Sequence, residues 1–158
     1  MEAVFSIGIQ GSGKTTLYRE RFFDTHVRIS RDMLKTRSRE MVLIKACFAV
    51  RQSFVLDDTN ASKAHRAEII PAAKAAGFRV VAYYFRTPLR TALARNKRRP
   101  EGQLIPVPGV LATFKRFQPP EWEEGFDEIR VVEPSGENEI SIRSWTPEEG
   151  NPPGLERQ

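Results

Sequence analysis

The chain has 158 residues, enough for one domain with its own core, and its 40% hydrophobic and 28% charged content is that of a soluble globular protein. No apolar run approaches the roughly 20 residues of a membrane-spanning helix, so no membrane partner is expected, and the first strand opens so near Met1 that no signal peptide is expected. A single cysteine, Cys47, excludes an internal disulfide and suits a reducing cytoplasm, while a net charge of +5 and a pI of about 9.7 point to a polyanionic partner, with a solvated basic face as the alternative.

In chain order, an apolar strand at about 3–8 runs into Gly8-Ile9-Gln10-Gly11-Ser12-Gly13-Lys14-Thr15, which satisfies the P-loop pattern G-x-x-x-x-G-K-[ST]. A helix to about 23 follows. Strand, loop and helix together form a phosphate cradle. The backbone of Gly11, Ser12, Gly13, Lys14, Thr15 and Thr16 is expected to wrap the phosphates of ATP, with Lys14 reaching the β- and γ-phosphates and Thr15 holding Mg²⁺. A short strand, Val27 to Ser30, ends at Arg31-Asp32. Asp32 is placed to accept a proton from an attacking hydroxyl, or else to favour the dipole of the next helix with Ser30 as its cap. Lys35 lies three residues on and could bind an acceptor phosphate.

Helical pattern from about Asp32 to Arg51 breaks near Thr36-Arg37-Ser38, and Cys47 shares a core-facing spacing with Leu43, Ala46 and Val50. The strand Ser53 to Asp57 ends in Asp57-Asp58-Thr59-Asn60. An apolar strand ending in Asp is the Walker B pattern, and either Asp57 or Asp58 could face the metal. Ser62 caps a helix to Ala76, closed by Gly77. After a strand from Arg79 to Phe85, Pro88 opens a helix. The basic residues Arg86, Arg90, Arg95, Lys97, Arg98 and Arg99 run through this region without an acid among them. Arg95 and Arg99, four apart, are expected to share a helix face and converge on one phosphate.

A polar stretch at 99–103 precedes a short helix at about 107–117, so that 88–118 forms a lid. Residues 129–145 pattern as a hairpin around Pro134 to Asn138, and the acidic, Pro- and Gly-rich tail 146–158 is expected to be flexible. Alternating strands and helices predict an α/β fold, a mostly parallel sheet flanked by helices, in one kinase-like domain over 1–145. Ligands on such sheets sit at the carboxyl ends of the strands. His26 and His65 lack metal-ligand spacing, and Trp122 and Trp145 are expected to pack rather than stack on bases.

These residues together resemble the 5′-hydroxyl polynucleotide kinases over roughly residues 1–130. The resemblance rests on Gly8–Thr15, Arg31-Asp32 with Lys35, Asp57-Asp58-Thr59-Asn60 with Arg66, Arg95-Asn96 with Arg99, Val107-Pro108, Lys115 to Pro120, and Glu123 to Asp127. It implies ATP- and Mg²⁺-dependent phosphorylation of the 5′-OH of DNA or RNA. Asp32 would be the general base, Lys14, Arg95 and Arg99 would clamp the ATP phosphates, and Arg31, Lys35, Thr59 and Asn60 would bind the acceptor. The phage-type enzymes carry Arg where this chain has Lys35, which cannot make the same bidentate phosphate contact. Relatives often carry a phosphatase or ligase domain; here such a partner is expected to be separate. Two alternatives share the P-loop: a kinase of a small-molecule hydroxyl (sugar, nucleoside or antibiotic), and an ATP-binding switch module without transfer.

Overall fold

The computed structural model describes residues 1–158. Six strands form one sheet in the order β2-β3-β1-β4-β5-β6. They are β1 (Glu2–Ile7), β2 (Val27–Ile29), β3 (Phe54–Asp57), β4 (Arg79–Phe85), β5 (Glu128–Gly136) and β6 (Glu139–Trp145). All neighbours pair in parallel except β5 and β6, the antiparallel hairpin. The helices are α1 (Lys14–Arg21), α2 (Arg31–Leu34), α3 (Arg37–Val50), α4 (Lys63–Ala75), α5 (Leu89–Lys97) and α6 (Val107–Arg116).

The period of two along β1 explains its two-sided burial. Ala3, Phe5 and Ile7 join the larger core with Ile44 and Cys47 of α3 and Ile69, Ile70 and Ala73 of α4. Val4 turns the other way, against Leu17 and Tyr18 of α1. A parallel sheet covered on both faces needs such continuously apolar strands. Because β3 lies on one side of β1 and β4 on the other, the loop leaving β1 sits at the middle of the sheet's carboxyl edge.

Helix punctuation follows local chemistry. Ser62 caps α4 by accepting from His65 N, and Thr36 caps α3 by accepting from Arg39 N. The expected break between the second and third helices falls at Lys35, whose φ is 71°.

Two local expectations need correction. The hairpin turn is tighter than the Pro134–Asn138 span, because Pro134 and Gly136 pair with β6 across an irregularity at Ser135, leaving Glu137 and Asn138 at the turn. The tail 146–158, expected to be flexible, is docked. Thr146 and Glu149 form a capping box around a short 3-10 turn, and Pro152 is buried. Tyr84 Oη donates to Pro153 O at 2.8 Å, and Leu89 N and Arg90 N donate to Glu156 O and Arg157 O at 2.8 and 3.2 Å. The physical reason is that the first N–H groups of a helix have no partner within it; at α5 the tail's carbonyls supply them. Arg86 is likewise not a free cation of the basic run, since it pairs with Glu133 and with Glu156 of the tail.

Candidate active site

The carboxyl ends of β1, β2 and β3 converge on a cleft of 170 Å³ lined by Gln10, Lys14, Thr15, Asp32, Asp57, Asp58 and Arg99, among others. The loop between β1 and α1 wraps tightly. Gly11 (φ +79°) lies so close to α5 that a Cβ there would fall 2.4 Å from Ala92 O, and Gly13 (φ +97°) takes the left-handed conformation just ahead of α1. Lys14 Nζ folds back on the loop, donating to Gly8 O at 2.9 Å, Ile9 O at 2.7 Å and Ser12 Oγ at 3.3 Å. Burial pushes the Lys14 ammonium down to about 8; nearby Asp57 opposes this and Arg99 adds to it.

The structure separates the two aspartates. Asp57 Oδ2 accepts from Thr15 Oγ1 at 3.0 Å and from Arg28 Nε at 2.7 Å. Asp58 instead accepts the Arg31 backbone N–H through Oδ1 and Oδ2, at 3.0 and 3.2 Å. Burial pushes the Asp58 carboxyl up to about 7 against that hydrogen bond. Asp58 thereby satisfies an N–H at the start of α2 from another strand. Ser30, the cap expected from sequence, makes no side-chain cap bond. Asp32 is left exposed at the first turn of α2, facing the cleft.

Residues expected at the acceptor side divide. Lys35 and Thr59 line cavities that also hold Asp32. Arg31 directs Nε and Nη2 to Oε2 of the fully buried Glu40, at 3.0 and 2.9 Å. Burial raises the Glu40 carboxyl, but the His65 and Arg31 hydrogen bonds outweigh it and hold it below the usual range. Asn60 is a correction: its side chain is buried, with Nδ2 donating to Ser6 O, Leu56 O and Asp58 O, so it ties β1 to β3 rather than reaching an acceptor. The expectation that Arg95 and Arg99 share a helix face also fails, because α5 ends at Lys97 and Arg98 is its C-cap. Arg99 lines the cleft with Lys14, whereas Arg95 lies beside Gly13, with Nη1 3.5 Å from Ser12 O.

Some side chains at the site carried no sequence signal. Arg28 from β2 and Arg19 from α1 join Lys35, Arg99 and Asp32 along a wider cavity of 540 Å³ that continues from the cleft. A lone arginine inside a short strand gives no periodicity to mark it. Arg66, expected only as part of a motif, is fully buried and binds Glu124, Asn60 O, Gln118 O and Pro119 O. It welds the end of β3 to the segment after α6.

The sequence pattern of an AAA domain family matches residues 4–120. The chain belongs to that family. Its architecture is that of P-loop kinase-like proteins. An unliganded sugar kinase from Janibacter sp. HTCC2649 superposes with a TM-score of 0.65 at 15% identity, over 84% of this chain and 85% of that one. Kti12 of Chaetomium thermophilum in complex with ADP-AlF3 gives 0.60 at 19%, over 83% and 88%. A structure from the PezAT chromosomal toxin–antitoxin system of Streptococcus pneumoniae gives 0.60 at 15%, over 84% and 68%. At these identities the likeness is one of fold. No helix of this chain is long and apolar enough to cross a membrane.

Proposed function

We propose that this protein transfers the γ-phosphate of ATP to the 5′-hydroxyl end of a polynucleotide, DNA or RNA. The observation that carries the reading is the cavity continuing past Asp32, which holds Arg19, Lys35 and Arg99, with Arg28 beside them paired to Asp57. A phosphorylated chain whose terminal hydroxyl enters beside Asp32 would lay its phosphates along those cations. A kinase of a neutral small hydroxyl compound has no need of them.

In the proposed reaction the acceptor oxygen attacks the γ-phosphorus in line, and its proton passes to Asp32. The bond from the γ-phosphorus to the bridging oxygen breaks, leaving ADP. Lys14 leaves its loop carbonyls for the β- and γ-phosphates, and Arg99 stabilises charge on the transferring group. Arg95, beside Gly13, serves the donor's inner phosphates. Thr15 and Asp57 offer the hard oxygen donors that suit Mg²⁺, which binds through few protein ligands and substrate phosphates. When bound there, Mg²⁺ would neutralise charge on the β- and γ-phosphates. Asp58, occupied by the Arg31 N–H, is the less suited of the pair.

One observation favours a second reading, a small phosphorylated acceptor. Arg31 is held by Glu40 and Asn60 is buried, so two of the four residues implied for polynucleotide binding are engaged elsewhere. Transfer of labelled γ-phosphate from ATP to 5′-OH oligonucleotides, with Asp32→Ala as control, tests both. Transfer that vanishes in the mutant while ATP binding persists supports the polynucleotide reading. Near-normal turnover in the mutant removes Asp32 from the chemistry. Absent transfer from ATP-bound protein directs the search to small acceptors, and ATP binding without any acceptor-stimulated ADP release leaves a switch module.

A further inference from the structure

Residues 146–158 lie beyond the range matched by the family, yet they touch the lid directly. The segment is anchored at both ends. At its start, Gly150 O accepts from the indole N–H groups of Trp122 and Trp145, each at 3.0 Å, and Asn151 Oδ1 accepts from Trp122 N at 2.9 Å. At its end it meets the junction of β4 and α5. There Arg86 Nε donates to Gly154 O at 3.1 Å, Arg86 pairs with Glu156, and Tyr84 Oη donates to Pro153 O. Pro88, the N-cap of α5, makes no side-chain cap bond, so the carbonyls of Glu156 and Arg157 take that place for Leu89 N and Arg90 N.

Between these anchors Leu155 packs against two cores at once. One is the larger core; the other is the small core of the lid, made of Ile9, Leu89, Ala92 and Val110. Ile9 belongs to the phosphate loop, and that loop rests on the lid at further points. Gln10 Nε2 donates to the buried Thr113 Oγ1 of α6 at 3.1 Å, Thr87 Oγ1 donates to Ser12 O at 3.4 Å, and Gly11 lies against Ala92 O. The tail thus holds the start of α5, and the lid helices hold the phosphate loop.

We propose that residues 150–157 are a strap that keeps the lid in its ATP-binding position, and that Leu155 is a positioning residue for the donor site. This rests on the reading of the P-loop as a nucleoside triphosphate site. Leu155 does not line the cleft, so its effect passes through α5. With the strap released, Leu89 N and Arg90 N return to water and the lid core loses one wall. The lid then leaves the placement that seats Gly11 and sets Arg95 beside Gly13. Apparent ATP affinity falls in proportion to the fraction of chains whose lid remains in place.

The test is calorimetric titration of the full chain with ATP and Mg²⁺, well below its melting temperature, with hydrogen exchange followed at the Leu89 and Arg90 amides. Leu155→Ala should weaken ATP about fivefold, the result of a lid in place in about one chain in five, and should speed exchange at both amides. Leu155→Met keeps the volume and should stay within about twofold of the wild type. Tyr84→Phe removes only the donor to Pro153 O and should weaken ATP in the same direction by a smaller factor. A residue that served stability alone would lower the melting temperature and leave the affinity of the folded chain as it was. ATP affinity unchanged in Leu155→Ala, whatever the two amides do, would overturn the inference. Weakened ATP binding with both amides as protected as in the wild type would overturn it too. Wild-type protein that binds no ATP while both amides are protected would overturn the donor reading itself, an outcome distinct from the others.

Discussion

The side chain of Asn96 pairs with both backbone groups of Ile105: Nδ2 donates to the carbonyl at 2.6 Å, and Oδ1 accepts the N–H at 3.1 Å. Asn96 is buried on α5, and the segment it closes carries Arg99 into the cleft. Asn96→Ala should cost about 1–2 kcal/mol of stability, since it also leaves both backbone groups of the half-buried Ile105 without their partner. With Arg99 less well held, kcat should fall about tenfold while the KM for ATP changes little. Thermal melts and steady-state kinetics on the same preparations check both parts.

Asp58 predicts a pH-dependent difference. Its carboxyl is raised to about 7 in the folded protein by burial, so between about 4 and 7 the folded state holds a proton that the unfolded state has lost. Its contribution to stability is therefore fully present at low pH and is lost as pH rises through 7. Asp58→Asn keeps an acceptor for Arg31 N–H and never ionises. The variant should match the wild type near pH 4 and melt at higher temperature at pH 8. A constant difference across that range would contradict the raised carboxyl.

Arg66 is the buried weld between β3 and the segment after α6, with hydrogen bonds to three carbonyls and a two-pronged pair with Glu124. Arg66→Met would leave Glu124, 10% exposed, without its cation. The expected loss is about 3–5 kcal/mol in urea unfolding. Arg66→Lys should recover little, because an ammonium cannot reproduce the planar fork.

The cavity past Asp32 predicts a salt dependence. With Arg28 paired to Asp57 and Arg99 given to the donor, Arg19 and Lys35 remain for the phosphates of a single strand, so log K for oligonucleotide binding should fall with log salt with a slope of about −1.4, from roughly −0.7 per neutralised phosphate. Lys35→Ala should flatten that slope by about 0.7. A salt-independent affinity would count against a polynucleotide acceptor.

Much of the site was legible because its signals are local. Gly8 to Thr15 specify a loop whose backbone wraps an anion whatever surrounds it, and the apolar runs of β1, β3 and β4 mark strands buried on both faces. Partner choice was not legible. Asp57 and Asp58 are adjacent acids, and only the approach of Thr15 and Arg28 to one and of Arg31 N–H to the other tells them apart. Asn60 is typical of a polar loop residue until its amide is found spanning two strands. The tail's polar composition gave no hint of the unpaired N–H groups of α5 that its carbonyls meet.

The sequence by itself determined the parallel α/β fold, the phosphate loop, and the placing of acids and bases just after the strands. Those features follow from periodicity and glycine geometry, which act over a few residues. The tertiary structure decided which aspartate meets Thr15, that Arg28 and Arg19 line the cavity that holds Asp32, and that the tail closes on the start of the lid. These are contacts between residues tens of positions apart. Their pairing depends on how helices and strands pack, which no local pattern encodes.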